Sequence, residues 1–316
     1  MVPCKYSYIN MYHNRQYVIA VIGLGNLGSA LAAQLTGCTV RGWDVVKTDH
    51  SYQTDTLYEA IKDATTIFLV VPSEHFESSL RDIIREYSNH GRWHDATNVN
   101  FITFTKGICN GRLPIEILER ELPFNPRGVI SGPMLSKEIY HEKTHAMLAT
   151  DNIDMHAASG LMTRMNNIRL QVTTNTIGVT LCGIVKNVYA VGMGMADGYK
   201  LGDNVKACIA TKAIQEMEQL IGDTVLSYAG IGDLLTTCYS PNSRNYSYGY
   251  QWAKGHNTDG IMSEGVKNID QVLDYCSIDL PVVQAINKCL HCEGIQPLMA
   301  VLNSNTKHIN HSEIKC

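Results

Sequence analysis

The feature that most constrains this chain is the junction at residues 17–35. A short β-branched apolar run, Tyr17-Val18-Ile19-Ala20-Val21-Ile22, runs straight into Gly23-Leu24-Gly25-Asn26-Leu27-Gly28 and then into Ser29-Ala30-Leu31-Ala32-Ala33-Gln34-Leu35, which has helical composition. A run of the first kind reads as a buried parallel strand. The three glycines have separate uses: Gly23 permits a tight turn, Gly25 lets backbone approach a pyrophosphate, and Gly28 lets the helix pack close to the strand. The helix N-terminus then presents amide donors and a positive dipole end to phosphates. Glycine is common in turns, so the pattern carries weight only because strand, helix and a downstream carboxylate accompany it.

That carboxylate is Asp44, about twenty residues on, at the end of a second strand-like run, Cys38 to Trp43. An acidic side chain there accepts hydrogen bonds from a ribose 2′-hydroxyl and repels a 2′-phosphate, which favours NAD over NADP. Arg41 and Lys47 flank it and soften the preference; a turn-capping role is the plainer alternative.

Further strand-like runs follow at Thr65–Val71, Asn98–Phe104 and Gly128–Ser131, with a helical stretch from Pro114 to Glu121. Strands alternating with helices imply an α/β fold, a Rossmann-type doubly wound parallel sheet. After about Thr176 strand-like runs thin out and Ala, Met, Glu, Gln and Lys recur at helical spacing. The expected organisation is an N-terminal extension at 1–16, a dinucleotide-binding domain at 17–175 and an all-helical C-terminal domain at 176–316.

Composition narrows the partners. A net charge of -4 on 316 residues argues against a nucleic-acid binder held by phosphate contacts, though a local basic pocket for a small anion remains open. No apolar run approaches the ~20 residues of a spanning helix, and residues 1–16 lack the apolar core of a signal peptide. The ten cysteines are scattered and read as reduced thiols in a cytoplasmic protein. Cys289 and Cys292 form a CxxC pair around His291 without a second ligand pair, so they read as helix residues. The twelve histidines form no ligand-spaced set, and no metal is expected.

A second constellation pairs glycine with isolated polar and charged residues. Its segments are Thr105-Lys106-Gly107, Ser131-Gly132-Pro133-Met134-Leu135-Ser136-Lys137-Glu138, Gly183-Ile184-Val185-Lys186-Asn187, and Gly230-Ile231-Gly232-Asp233-Leu234 followed by Ser243-Arg244-Asn245. Lys106 falls just past a strand, where doubly wound sheets place their ligands. Lys186 sits in an otherwise apolar helix entry, where an unpaired charge is costly. A solvated surface lysine is the plain alternative for either alone. Together with Arg244 and Asn245 they supply cations and amides suited to an anionic, hydroxylated substrate. An ammonium near a carbonyl undergoing reduction stabilises and protonates its oxygen.

With these residues in view, the chain resembles bacterial-type NAD(P)-dependent glycerol-3-phosphate dehydrogenases. The matching elements are the Gly23–Gly28 loop, Val70-Val71-Pro72-Ser73, Thr105-Lys106-Gly107, Ser131-Gly132-Pro133 with Lys137-Glu138, Gly178-Val179 and Lys186-Asn187-Val188. Further on come Ala196-Asp197-Gly198, Leu201-Gly202-Asp203-Asn204, Gly230–Leu234, Ser243-Arg244-Asn245 and Glu264-Gly265. The resemblance implies reversible hydride transfer between dihydroxyacetone phosphate and sn-glycerol 3-phosphate, feeding glycerophospholipid synthesis, with NAD or NADP as cofactor. It implies Lys186 as the catalytic acid and base, and Lys106, Gly132, Asp233, Ser243, Arg244 and Asn245 as substrate contacts. Cofactor contacts are implied at Asn26, Leu27, Ser136, Met262 and Glu264, joining Gly23, Gly25, Gly28 and Asp44, with Lys106 and Arg244 touching both ligands. A homodimer is compatible with it.

Three departures bear on substrate preference. Met134 stands where a small hydroxyl residue is usual, Thr180 replaces a glutamate, and the stretch from Val45 to Thr65 is short. Two alternatives stay open at this point: a dehydrogenase of another β-hydroxy acid or phosphorylated polyol on the same plan, or a non-catalytic dinucleotide-binding sensor.

Overall fold

Val18–Ile22 (β1) is buried at every position, as its unbroken apolar run requires, and hands the chain through the glycine loop to α1 (Asn26–Gln34). The computed structural model describes residues 17–92, 97–292 and 294–304. The expected extension at 1–16 lies outside the described residues. The order continues β2 (Thr39–Trp43), α2 (Leu57–Ile61), β3 (Thr66–Leu69), α3 (Ser73–Asn89), β4 (Asn100–Thr103), α4 (Pro114–Glu121), β5 (Arg127–Ser131), β6 (Thr144–Ala149), α5 (Met155–Met162) and β7 (Ile168–Thr173). Local chemistry sets the helix starts. Thr56 and Glu59 form a reciprocal capping box at α2, and α4 begins with Pro114 at its first turn, where a missing N–H costs nothing.

The seven strands form one sheet in the order β2-β1-β3-β4-β5-β6-β7. Pairing is parallel except between β5 and β6, which run antiparallel with Ile130 opposite Leu148. The parallel reading therefore holds for the first five strands and needs correction beyond them, because β6 and β7 were not anticipated. In β6 the sequence Thr-His-Ala-Met-Leu-Ala is rich in helix formers, and β7 alternates buried Ile168 and Leu170 with exposed Arg169 and Gln171, as an edge strand does. The core beneath them includes Ile19, Val21, Leu31, Phe68, Ile102, Ile130, Leu148, Ile168 and Met134. Strand order reverses between β2-β1 and β3, so the crevice beyond the carboxyl end of β1 is the ligand position of this architecture.

The remaining described elements are helical: α6 (Thr176–Gly198), α7 (Asp203–Ile221), a 3-10 turn at Gly222–Leu226, a π-helical turn at Tyr228–Gly232, then α8 (Asp233–Tyr239), α9 (Arg244–Ala253), α10 (Glu264–Tyr275), α11 (Pro281–Cys292) and α12 (Gln296–Asn303). The chain packs as two compact units. The first runs to Gly183 and also takes in Leu226–Asp233; the second comprises Ile184–Val225 and the residues from Leu234 onward. The sequence reading put the junction at Thr176, where α6 begins, whereas α6 contributes residues to both units.

In the second unit α6 and α9 cross at glycine. A Cβ at Gly194 would lie 2.0 Å from the Tyr246 carbonyl oxygen and one at Gly249 would lie 2.0 Å from the Val191 oxygen, so the backbones touch. By length and composition α6 could cross a membrane, but its most apolar stretch is 94% buried and carries Lys186, which marks a core helix. The Lys186-Asn187 interruption conceals that run in the bare sequence. A second buried polar group joins three helices of this unit. The Glu216 carboxylate on α7 accepts from the Tyr189 hydroxyl at 3.1 Å and from the Val282 N–H at the start of α11. Burial pushes the Glu216 carboxyl up to about 7 against the opposing pull of these hydrogen bonds.

Candidate active site

The glycine loop is shaped by contacts that glycine alone permits. Gly23 has φ of 96° and donates its N–H to Trp43 O at 2.9 Å. A Cβ there would sit 2.5 Å from the Val70 oxygen, and one on Gly28 would sit 1.8 Å from the Gly23 oxygen. Gly25 differs: it is exposed, and a Cβ would meet nothing of the protein within 4 Å. Its smallness serves no internal packing, which fits close approach of a ligand. As N-cap of α1, Gly25 supplies no side-chain cap, and the first turn holds no acidic residue. Asn26 is exposed and Leu27 half-buried there. A helix start of this kind accepts an anion.

Asp44 is tied to this loop. Its Oδ2 accepts the Leu24 N–H at 2.6 Å and its Oδ1 accepts the Val46 N–H at 2.9 Å, so it caps a turn and fixes the loop together. A carboxylate has about four acceptor positions, which leaves capacity for a ribose hydroxyl. The two flanking cations are engaged elsewhere. Arg41 reaches Asp63 at 3.4 Å and the Glu59 carbonyl at 3.2 Å, while Lys47 pairs with Asp55 at 2.9 Å. These residues fit a dinucleotide with a free 2′-hydroxyl.

At the carboxyl ends of β4 and β5 the first unit gathers a second group. The Lys106 Nζ donates to Asp233 Oδ2 at 2.7 Å and to the Gly132 carbonyl at 3.3 Å. Asp233 is 2% exposed and opens α8 directly after the π-helical turn. It was expected as a substrate contact; the structure pairs it with Lys106. That turn is braced by His145 on β6, whose ring stacks on Tyr228 at 4.8 Å. Ser136 is half-buried in the turn after Gly132, and Met134 is buried in the core, so the lost hydroxyl is replaced by packing.

The second unit assembles the rest. Lys186 on α6 is 5% exposed, and its Nζ donates to Thr237 Oγ1 on α8 at 2.7 Å. Next to it, the Asn187 Oδ1 accepts from Asn245 Nδ2 at 2.8 Å. The Asn245 Oδ1 in turn accepts from Ser263 Oγ at 2.8 Å and from the Gly265 N–H at 3.0 Å. Asn245, expected at the substrate, thus knots α6, α9 and the start of α10. Ser243 caps α9 by accepting the Tyr246 N–H, and Ser263 caps α10. Arg244 is exposed at the first residue of α9. A cation is disfavoured at that end of the helix dipole, so its place is not explained by helix stability. Met262 is 49% exposed and Glu264 half-buried, its Oε2 accepting from Asn268 at 3.0 Å.

Sequence reasoning missed Thr237 and Ser263. Ser263 was legible as Ser-Glu-Gly before an apolar-periodic stretch, a helix-start signal. Thr237 lacked a signal, being one of two adjacent threonines in a short helix.

Comparison with known proteins identifies the family. Residues 46–157 match the family profile of the NAD-dependent glycerol-3-phosphate dehydrogenase N-terminus, and residues 175–301 match that of its C-terminus. The glycerol-3-phosphate dehydrogenase [NAD(P)+] of Acinetobacter baylyi is 31% identical over 325 aligned positions, covering 90% of this chain and 88% of the relative. The enzyme of the same name from Coxiella burnetii is 30% identical, covering 90% and 96%. A crystal structure of glycerol-3-phosphate dehydrogenase from Coxiella burnetii superposes with a TM-score of 0.82 at 28% identity, covering 92% of this chain and 99% of that one. The chain is therefore an oxidoreductase and belongs to the NAD(P)-dependent glycerol-3-phosphate dehydrogenase family.

Proposed function

We propose that this chain interconverts dihydroxyacetone phosphate and sn-glycerol 3-phosphate, with Lys186 as general acid and base. The observation that carries this is Lys186 itself, a buried lysine held at 2.7 Å by the Thr237 hydroxyl in the core of a helical unit. A nicotinamide cofactor, when bound, would supply or accept the hydride. In the reducing direction the Lys186 ammonium stabilises the charge that develops on the carbonyl oxygen and delivers a proton to it; in the oxidising direction the amine takes the hydroxyl proton. Thr237 fixes one N–H direction of the lysine, and the Asn187–Asn245 bond holds the neighbouring residue of α6. Lys106 and Arg244 supply positive charge for the substrate phosphate, the latter as a planar fork suited to phosphate oxygens. Asp233 keeps the Lys106 ammonium in place.

NAD is the preferred cofactor in this reading, supported by a pinned Asp44 and by Arg41 and Lys47 being engaged with Asp63 and Asp55. The described free thiols, Cys38, Cys109, Cys182, Cys208, Cys238, Cys276 and Cys289, suit a reducing cytoplasm, where the product would serve glycerophospholipid synthesis. A homodimer remains part of the proposal and is read by light scattering.

The test is oxidation of NADH and of NADPH by the purified protein on addition of dihydroxyacetone phosphate. Turnover with a higher kcat/KM for NADH is expected. No turnover with either cofactor overturns the substrate assignment, and a preference for NADPH overturns the role of Asp44.

A further inference from the structure

The end of β5 holds a hydroxyl that the fold does not use. Ser131 is 1% exposed, and its Oγ is one of the few buried side-chain polar atoms among the described residues with no hydrogen-bond partner. Buried hydroxyls are nearly always paired, because desolvating one without a partner is unfavourable. Its neighbours along the same end of the sheet obey the rule: Thr103 Oγ1 accepts the Thr105 N–H at 3.0 Å, and Thr105 Oγ1 donates to the Val71 carbonyl at 2.7 Å.

The surroundings of Ser131 are those of a binding position rather than a packing fault. The next residue, Gly132, offers its carbonyl to Lys106, whose ammonium is paired with Asp233. Opposite lies Gly183. A Cβ there would come within 2.8 Å of Ser131 Oγ and 3.4 Å of Lys106 Cγ, so glycine at 183 lets the α6 backbone lie close against both side chains without supplying the hydroxyl a partner. An orphaned hydroxyl and a largely buried ion pair thus meet at the carboxyl end of a strand, where this architecture places its ligands.

We infer that the Ser131 hydroxyl is a further ligand-binding group of this enzyme, forming a hydrogen bond to an oxygen or amide of a bound reactant. The inference rests on the reaction proposed above. Two reactants carry that chemistry: the hydroxyl and carbonyl oxygens of the phosphorylated three-carbon substrate, and the carboxamide of the nicotinamide. A hydroxyl serves either, since it both donates and accepts.

The Ser131→Ala variant removes one oxygen that holds no internal bond, so its melting temperature should equal or exceed that of the wild type. Two quantities are then compared with the wild type: KM for dihydroxyacetone phosphate, and the dissociation constant for NADH from its fluorescence without substrate. A roughly tenfold rise in KM with NADH binding unchanged assigns the hydroxyl to the substrate; a comparable loss of NADH affinity assigns it to the carboxamide. Gly183→Ala, which sets a methyl group against Ser131 Oγ, should shift the same quantity. A stable Ser131→Ala protein with both constants unchanged overturns the inference. Absence of wild-type turnover would instead sink the proposed reaction, and the NADH titration would still report on Ser131.

Discussion

The Lys186 ammonium donates to the Thr237 hydroxyl at 2.7 Å, joining α6 to α8 through two buried side chains. The hydroxyl can orient the amine in both protonation states, because it accepts from the ammonium and donates to the free base. Thr237→Val keeps the shape and removes this partner, so kcat should fall about 10- to 100-fold, while Thr237→Ser keeps most of the activity. Steady-state kinetics check this; a Thr237→Val enzyme with normal kcat would make the contact incidental.

Lys106 and Asp233 form a largely buried pair, and removing one member leaves the other charged and uncompensated. Asp233→Ala should destabilise the protein by about 3 kcal/mol. Adding Lys106→Met to it should cost less than the sum of the two single changes. Denaturant unfolding of the four proteins in a double-mutant cycle gives the coupling. Simple additivity would mean that the pair does not interact.

Two glycines of one loop should behave in opposite ways. A methyl group on Gly28 meets the Gly23 oxygen at 1.8 Å, whereas one on Gly25 meets no protein atom within 4 Å. Gly28→Ala should lower the melting temperature, with cofactor binding lost as a consequence. Gly25→Ala should leave the melting temperature of the protein alone unchanged and weaken NADH binding at least tenfold, by blocking the approach of phosphate to backbone. Equal NADH affinity in Gly25→Ala and wild type would remove the phosphate from this position.

Glu216 gives the second unit a pH-dependent stability. Burial raises its folded pKa to about 7 from the ordinary carboxylate range, so the folded state holds a proton that the unfolded state has released. Its contribution is fully present below the unfolded pKa and is lost as pH rises through about 7, a change of about 3 kcal/mol at most. Glu216→Gln should flatten the stability profile between roughly pH 5 and 7.5 relative to the wild type. Parallel profiles for the two proteins would show that Glu216 does not carry this titration.

What the sequence revealed and what it hid follow from the range of the interactions involved. The strand, loop and helix at 17–35 were legible because their determinants are local: a β-branched run, three glycines at fixed spacing and a helix-forming tail. The β6 strand was not, because Ala146, Met147 and Leu148 belong in a strand only through pairing with β5. Asp44 could be placed at the end of β2, but its bond to the Leu24 amide depends on how the loop folds back. At the candidate site, Lys106 and Lys186 stood out as lone charges among apolar and glycine residues. Their partners Asp233 and Thr237 lie 127 and 51 residues away, a distance that no local pattern encodes.

The most direct test of the account is the Lys186→Ala variant, assayed for NADH oxidation with dihydroxyacetone phosphate and, separately, for NADH binding by fluorescence. With Lys186 as the proton donor, turnover should fall by roughly 10²- to 10⁴-fold while the NADH dissociation constant stays within about twofold of the wild type. Near-normal turnover in that variant would contradict the assignment of Lys186 as acid and base.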